Sequence, residues 1–427
     1  MTIPRIPGDQ SIAFLTEGYR FASRRFDQVE GDAFATRLMG RPVSFLRGPD
    51  AARFFYEGGR FTRDRALPRS VLHTLQDEGS VQTLVGHAHG HRKAMFLDLM
   101  TEAGVRRLRD AFAEEWLRCV DGWATRDRVV LQRELPLPLT RAACRWVGVP
   151  TGDDGARAHE FAEMVARAGT FGPANWYARA LRRRTERWAQ QLIRDVREGI
   201  LPVDDDTPAA AIARHRDERG EELPVEVAAV ELLNVLRPTV AVGRYLVFVA
   251  WALHRHPNWR IRFAAGDDAF VYPFAQEVRR FFPFFPVVGG RAARASEFAG
   301  HSFEAGDWVM LDLFGTDRHP GVWPDADRFR PERFHHGAPG LNELVPQGGG
   351  HPHDGHRCPG EDPTIELIAE FARLLTRETE YEVPEQDLRI SLRRMPAQPQ
   401  SGMVLTHVRR KDASAVRGTA PVGPHTT

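Results

Sequence analysis

The segment Val225-Glu-Val-Ala-Ala-Val-Glu-Leu-Leu-Asn-Val-Leu-Arg-Pro-Thr-Val-Ala-Val-Gly-Arg-Tyr-Leu-Val-Phe-Val-Ala-Trp-Ala-Leu-His254 is apolar on most faces. At roughly 1.5 Å per residue, a helix this long crosses a whole domain, and a helix apolar all round is buried. Any fold that holds it must wrap other elements around it. Its middle nevertheless carries Arg237 and Pro238. Pro238 cannot donate a backbone hydrogen bond, so the carbonyl of Asn234 loses its usual partner and a kink is expected. Arg237 should project from that opening into an apolar wall, where a guanidinium without an anion is costly. Glu231 lies off the positions that face Arg237 directly, and Glu226 is about three turns away. The partner is then a carboxylate from elsewhere in the fold or the carboxylate of a bound substrate. A bidentate guanidinium would fix the position and angle of either.

The rest of the chain suits such a centre. From about Gly104 to Leu375 most long segments show helical periodicity, broken by Pro/Gly loops at 148–155 and 338–363. Helical periodicity also starts near Ser11, and Asp50 suggests a capped helix. Alternation around 32–38 and 41–47 reads as a hairpin, and Asp307–Leu313 and Gly402–Val408 read as strands. The expected fold is mostly α with a minor β region, one domain over 1–410, and a frayed polar tail over 411–427. The 427 residues are ample for one large core. A net charge of +1 offers no global basic field for nucleic acid. Cys119, Cys144 and Cys358 are odd in number and widely spaced, which argues against a disulfide framework and for a reducing cytoplasm. No apolar run is long enough for a membrane anchor, and the first residues lack the apolar core of a signal peptide.

One cysteine stands apart. Pro346-Gln-Gly-Gly-Gly-His-Pro-His-Asp-Gly-His-Arg-Cys-Pro-Gly-Glu361 leads into the apolar helical pattern 364–375. Such a loop keeps bulky groups away and holds the Cys358 sulfur at the mouth of a helix. Arg357 and the helix N-terminus would favour its thiolate, the form that ligates haem iron; the alternative is a buried structural cysteine. Upstream, Glu277 and Arg280 sit one turn apart, a spacing that alone fits a surface pair, and Pro331-Glu-Arg-Phe334 follows. In this order the three elements resemble the cytochrome P450 superfamily. The resemblance implies that fold, a single haem-thiolate domain with a long central helix, a haem b cofactor, and Cys358 as its axial and only metal-ligating residue.

The match narrows at the central helix. Members that rely on a reductase carry an acid and then Thr there, whereas this chain has Leu-Arg-Pro-Thr. Asn234-x-x-Arg237-Pro238 and the Gly-rich cysteine loop, with His351 and Asp354 where the common pattern has Phe and Gly, resemble the bacterial fatty-acid peroxygenases. That resemblance implies fatty acid and hydrogen peroxide as substrates and no required redox partner. It also implies that the carboxylate held by Arg237 acts as general acid–base, so that oxidation falls on the α or β carbon. Gln82 stands where relatives that decarboxylate to 1-alkenes have His, which favours hydroxylation; a plain surface glutamine is the other reading. Arg63, His89 and Lys93 match positions that face the haem propionates, and Arg357 adjoins the ligand. His87, His89 and His91 alternate as on a strand, a weak metal pattern. Phe281, Phe282, Phe284 and Phe285 are either core or the lining of an acyl tunnel. Leu75-Gln76-Asp77 departs from the Leu-Phe-Gly of close relatives. The rival activities are fatty-acid decarboxylation, a reductase-dependent monooxygenase, and a haem sensor without turnover.

Overall fold

The computed structural model describes residues 3–66, 80–167, 173–353 and 355–411. The readings made on Leu75-Gln76-Asp77, on Asp354 and on residues 412–427 lie outside them. Lys411, read as the start of the tail, is held by the carbonyls of Glu378 (2.9 Å) and Thr376 (2.6 Å).

Helices Gly86–Leu99, Glu102–Trp123, Pro136–Val147, Asp154–Ala166, Pro173–Arg197, Val225–Ala241, Gly243–Arg255, Val271–Phe281 and Glu361–Arg373 form the bulk of the molecule. Their ends follow the local chemistry. Thr101 caps the amide of Gly104 and Asp153 that of Ala156, satisfying donors that a helix start leaves open. Gly148 stops its helix at φ 88°, a conformation that favours glycine. The predicted capped helix at Asp50 runs Pro49–Tyr56, with Gly48 before it and no side-chain cap.

A six-stranded sheet packs beside the helices in the order Arg5–Asp9, Ala33–Leu38, Arg41–Leu46, Trp308–Asp312, Val287–Ala292, Phe61–Thr62. The predicted hairpin pairs Ala33 with Leu46 and Leu38 with Arg41. Met39 and Gly40, both at positive φ, make its two-residue turn, the geometry that matches strand twist.

The expected central rod is present as two consecutive helices that meet at Val242. The Val242 amide is shared between the carbonyls of Pro238 (3.2 Å) and Thr239 (3.3 Å). The break thus comes one turn after the proline. Gly243 sits at this point, and a Cβ there would lie 3.0 Å from Leu139 Cδ1. A side chain there would crowd the helix Pro136–Val147, which packs close at this point.

Two features hold the layers together. Trp116 is fully buried, edge-on to Phe371 (4.8 Å, 89°) and Trp123 (5.2 Å, 75°), and donates its indole N–H to Thr379 Oγ1 at 3.1 Å. Glu277 and Arg280, both at 0% exposure, form a bidentate pair at 2.7 and 2.8 Å. Glu277 also meets Arg333 of the Pro331–Phe334 turn at 3.2 Å and accepts the Arg330 amide. The pair that could have been a surface bridge is a core lock. Trp116→Ala should lower the thermal midpoint of the holoprotein steeply, as expected for a large-to-small core change costing about 3–5 kcal/mol. Trp116→Phe, which retains a ring, should lose distinctly less in the same melting experiment.

Candidate active site

The cysteine loop is shaped by glycines. Gly348 and Gly350 have φ of 98° and 76°, and a Cβ on Gly350 would come within 2.9 Å of Tyr56. The Cys358 amide bonds the Gln347 carbonyl at 3.0 Å. Gln347 in turn donates to Thr364 Oγ1 at 3.0 Å and accepts from Arg279 Nε at 3.1 Å, fastening the loop to the helix that follows it. Burial pushes the Cys358 thiol up, and the backbone N–H of Gly360 is the first group to oppose that rise.

Arg357, which adjoins Cys358 and lines the same cavity, has partners of its own. Its guanidinium holds Glu361 at 2.5 and 2.9 Å and the Leu341 carbonyl at 2.7 Å. Its charge is therefore answered at once. Arg279, at 0% exposure, also pairs with Glu361. Burial pushes the Glu361 carboxyl up, but Arg279 and Arg357 outweigh it and hold the group below its usual range.

Above the loop lies a largely apolar cavity of 530 Å³. Arg63, Gln82, His89, Lys93, Arg237, Pro238, Arg357 and Cys358 all line it. Residues far apart in the chain, each singled out from sequence, thus share one chamber. Arg237 is 6% exposed and donates to Asn234 Oδ1 at 3.2 Å. Gln82, on the short turn Val81–Thr83, accepts from Asn234 Nδ2 at 3.3 Å. On another part of the wall Lys93 donates to the Gly355 carbonyl, Arg63 to that of Gly289 at 2.6 Å, and His89 packs 4.1 Å from His356. Burial, with Lys93 and Arg63 beside it, pushes His89 down to about 4. His89 therefore brings a neutral imidazole to the chamber, while Lys93 and Arg63 bring charge. His87, His89 and His91 sit on the helix Gly86–Leu99, not on a strand.

The profile of the cytochrome P450 family matches residues 273–346, the stretch that holds the Glu277–Arg280 lock and its Arg333 partner. A solved structure of a variant of cytochrome P450SP alpha is 41% identical at a TM-score of 0.92, covering 95% of this chain and 100% of that one. The chain belongs to the cytochrome P450 superfamily.

Other P450 structures agree. Cytochrome P450EX alpha, solved with myristic acid, is 39% identical over 96% of this chain and 100% of that one, with a TM-score of 0.92. Ligand-free cytochrome P450 OleT is 31% identical over 96% of this chain and 99% of that one, with a TM-score of 0.93. Among curated relatives, the match to cytochrome P450 137 of Mycobacterium tuberculosis is 31% identical over 195 residues, 42% of this chain, and spans 39% of that protein. The residues present fit the haem-thiolate iron of P450s: a cysteine sulfur beside the backbone N–H of Gly360, and the cations Arg63 and Lys93 on the wall of the same chamber.

Sequence reasoning missed part of this P450 site. Glu231, set aside for its six-residue distance from Arg237, is fully buried and reaches it through Asn234, whose Nδ2 donates to Glu231 Oε2 at 2.9 Å. Its other oxygen takes Arg92 Nη1 and the Val81 amide, each at 2.9 Å. The repeated three-residue step 231, 234, 237 was the available signal; nothing local pointed to Arg92. Arg244, 7% exposed, also lines the cavity and donates to the carbonyls of Pro283 (3.3 Å) and Phe284 (3.1 Å). The phenylalanine cluster divides. Phe284 and Phe285 line the cavity, whereas Phe282 stacks on Phe248 at 4.4 Å in the core, with Phe281 packed at its edge.

Replacing Glu361 by Gln should leave Arg279 and Arg357 undercompensated. A loss of about 3–5 kcal/mol is expected for breaking a buried pair. Thermal melting and haem content after gel filtration check it, and both should fall.

Proposed function

We propose that this P450 is a hydrogen-peroxide-dependent fatty-acid peroxygenase that hydroxylates the α or β carbon, with the substrate carboxylate held by Arg237. The observation that carries this reading is one apolar cavity whose lining Cys358 shares with the buried Arg237, with Pro238 and not an acid directly before Thr239. The solved relative holding myristic acid supports the substrate class.

Haem b ligated by Cys358, with Arg63 and Lys93 beside its propionates, would supply cleavage of the peroxide O–O bond and transfer of oxygen. The overall balance is one C–H bond and one peroxide consumed, one C–OH and one water formed. Arg237 binds the carboxylate through charge-assisted hydrogen bonds in a medium that excludes water. Pinned there, the carboxylate accepts the proton from one peroxide oxygen and returns it to the other, work for which no acid of the central helix lines the cavity, Glu231 being set behind Asn234. The pinned end also decides which carbons reach the reacting centre. Gln82 offers an amide where an imidazole would supply a titratable proton, which favours hydroxylation over loss of the carboxyl group. Among the described residues no helix is long and apolar enough to cross a membrane.

The test is product analysis of the holoenzyme with myristic acid and peroxide, without reductase or NADPH. Formation of 2- or 3-hydroxy acid is expected. A 1-alkene would overturn the role given to Gln82, and turnover only with an electron-transfer chain would overturn the peroxygenase reading. Arg237→Lys keeps a cation but loses the planar fork. Its kcat/KM for myristic acid should fall, by about tenfold to a hundredfold if one charged hydrogen bond is lost.

A further inference from the structure

Glu231 has three neighbours within hydrogen-bond reach: Arg92 Nη1, the Val81 amide and Asn234 Nδ2, each at 2.9 Å. All three are donors. An ionised carboxylate only accepts, so it answers all of them at once, and a proton on either oxygen would face another donor. Burial pushes this carboxyl up, while Asn234 and Arg92 oppose the rise. The arrangement has a directional consequence. An amide has one accepting and one donating end. With Asn234 Nδ2 turned to Glu231, its Oδ1 must turn the other way, where it accepts from Arg237 Nη2 at 3.2 Å. The same Nδ2 donates to Gln82 Oε1 at 3.3 Å. That contact commits the accepting end of Gln82 and leaves its donating end for the cavity it lines.

We propose that Glu231 is the positioning residue for carboxylate recognition: it fixes the direction of the Asn234 and Gln82 amides, so that Arg237 is held by an acceptor and Gln82 presents a donor to the substrate. Glu231 is not among the residues that line the cavity; it acts through Asn234, and Arg92 compensates its charge. The proposal rests on the reading that Arg237 receives the substrate carboxylate.

Glu231→Gln tests it with almost no change of shape. The retained oxygen still meets Arg92 and Val81, but the new NH₂ faces Asn234. Asn234 must then flip, setting its NH₂ against Arg237. The holoenzyme is titrated with myristic acid and with 1-tetradecanol, and the haem absorbance change gives each dissociation constant. Glu231→Gln should weaken the acid by about tenfold, the loss of roughly one hydrogen bond to a charged group, and leave the alcohol unchanged. A merely structural role would weaken both ligands alike, and that result would overturn the proposal. Asn234→Leu removes the relay but keeps the Arg92–Glu231 pair. It guards against a Glu231 variant that fails to fold, and it should show the same acid-selective loss; an unchanged acid preference would also overturn the proposal. Arg237→Leu runs in parallel. If it abolishes the preference for acid while Glu231→Gln and Asn234→Leu do not, the positioning role fails and the carboxylate reading stands. If Arg237→Leu keeps the preference, the carboxylate reading falls and the proposal with it.

Discussion

Guanidinium groups kept out of water organise this protein, because each must be answered by acceptors of matching charge and shape. Arg279 and Arg280 are neighbours on one helix and both fully buried, yet they serve different layers. Arg280 turns to Glu277 and, through it, to the Pro331–Phe334 segment. Arg279 turns to Glu361 and Gln347, and so to the loop that carries Cys358. A single helical step therefore separates the lock of the core from the lock of the cysteine loop. On the opposite wall, Arg92 and Glu231 form a third buried pair, which ties the helix Gly86–Leu99 to the central helix. Together the three pairs fasten the core, the cysteine loop and the central helix to their neighbours.

What could be read in the sequence had short range. The glycines before Cys358, the Arg237-Pro238 step and the Glu277–Arg280 spacing each state their chemistry within a few residues; the first two lie at one cavity and the third is a buried pair. The pairs formed across long stretches of chain could not be read that way. Arg92 meets Glu231 across 139 residues, and no local pattern separates it from the other basic residues of His91-Arg-Lys93. Glu231 was passed over because the usual rule concerns direct contact over one helical turn, whereas here a side-chain amide carries the contact a second step. The partner of Arg357 was hidden for a related reason: proximity in sequence to the cysteine does not show where a long side chain ends, and its guanidinium meets Glu361.

Pattern also fixed which residues are apolar but not what they face. Phe281, Phe282, Phe284 and Phe285 look equivalent in sequence, yet the helix Val271–Phe281 ends among them and the chain straightens at Phe282. The change of backbone sends Phe282 into the core and Phe284 and Phe285 to the cavity wall, Phe284 also packing in the core. The central helix teaches the same lesson. The missing amide of Pro238 was legible, but the place where the rod gives way, at Val242 one turn later, was not.

The Pro283–Phe284 stretch is pinned from two directions. Tyr19 donates to the Phe284 carbonyl at 2.7 Å, and Arg244 to the same atom at 3.1 Å. Leu15 and Met39, which line the same cavity, are exposed at 44% and 54% and so stand at its open end. Among the stretches that line the cavity, the N-terminal arm and hairpin shape the open end, while the central helix and cysteine loop lie at the other part of the wall with Arg237 and Cys358. Substitutions at Leu15 or Met39 would therefore reshape the mouth of the cavity without touching Arg237 or Cys358.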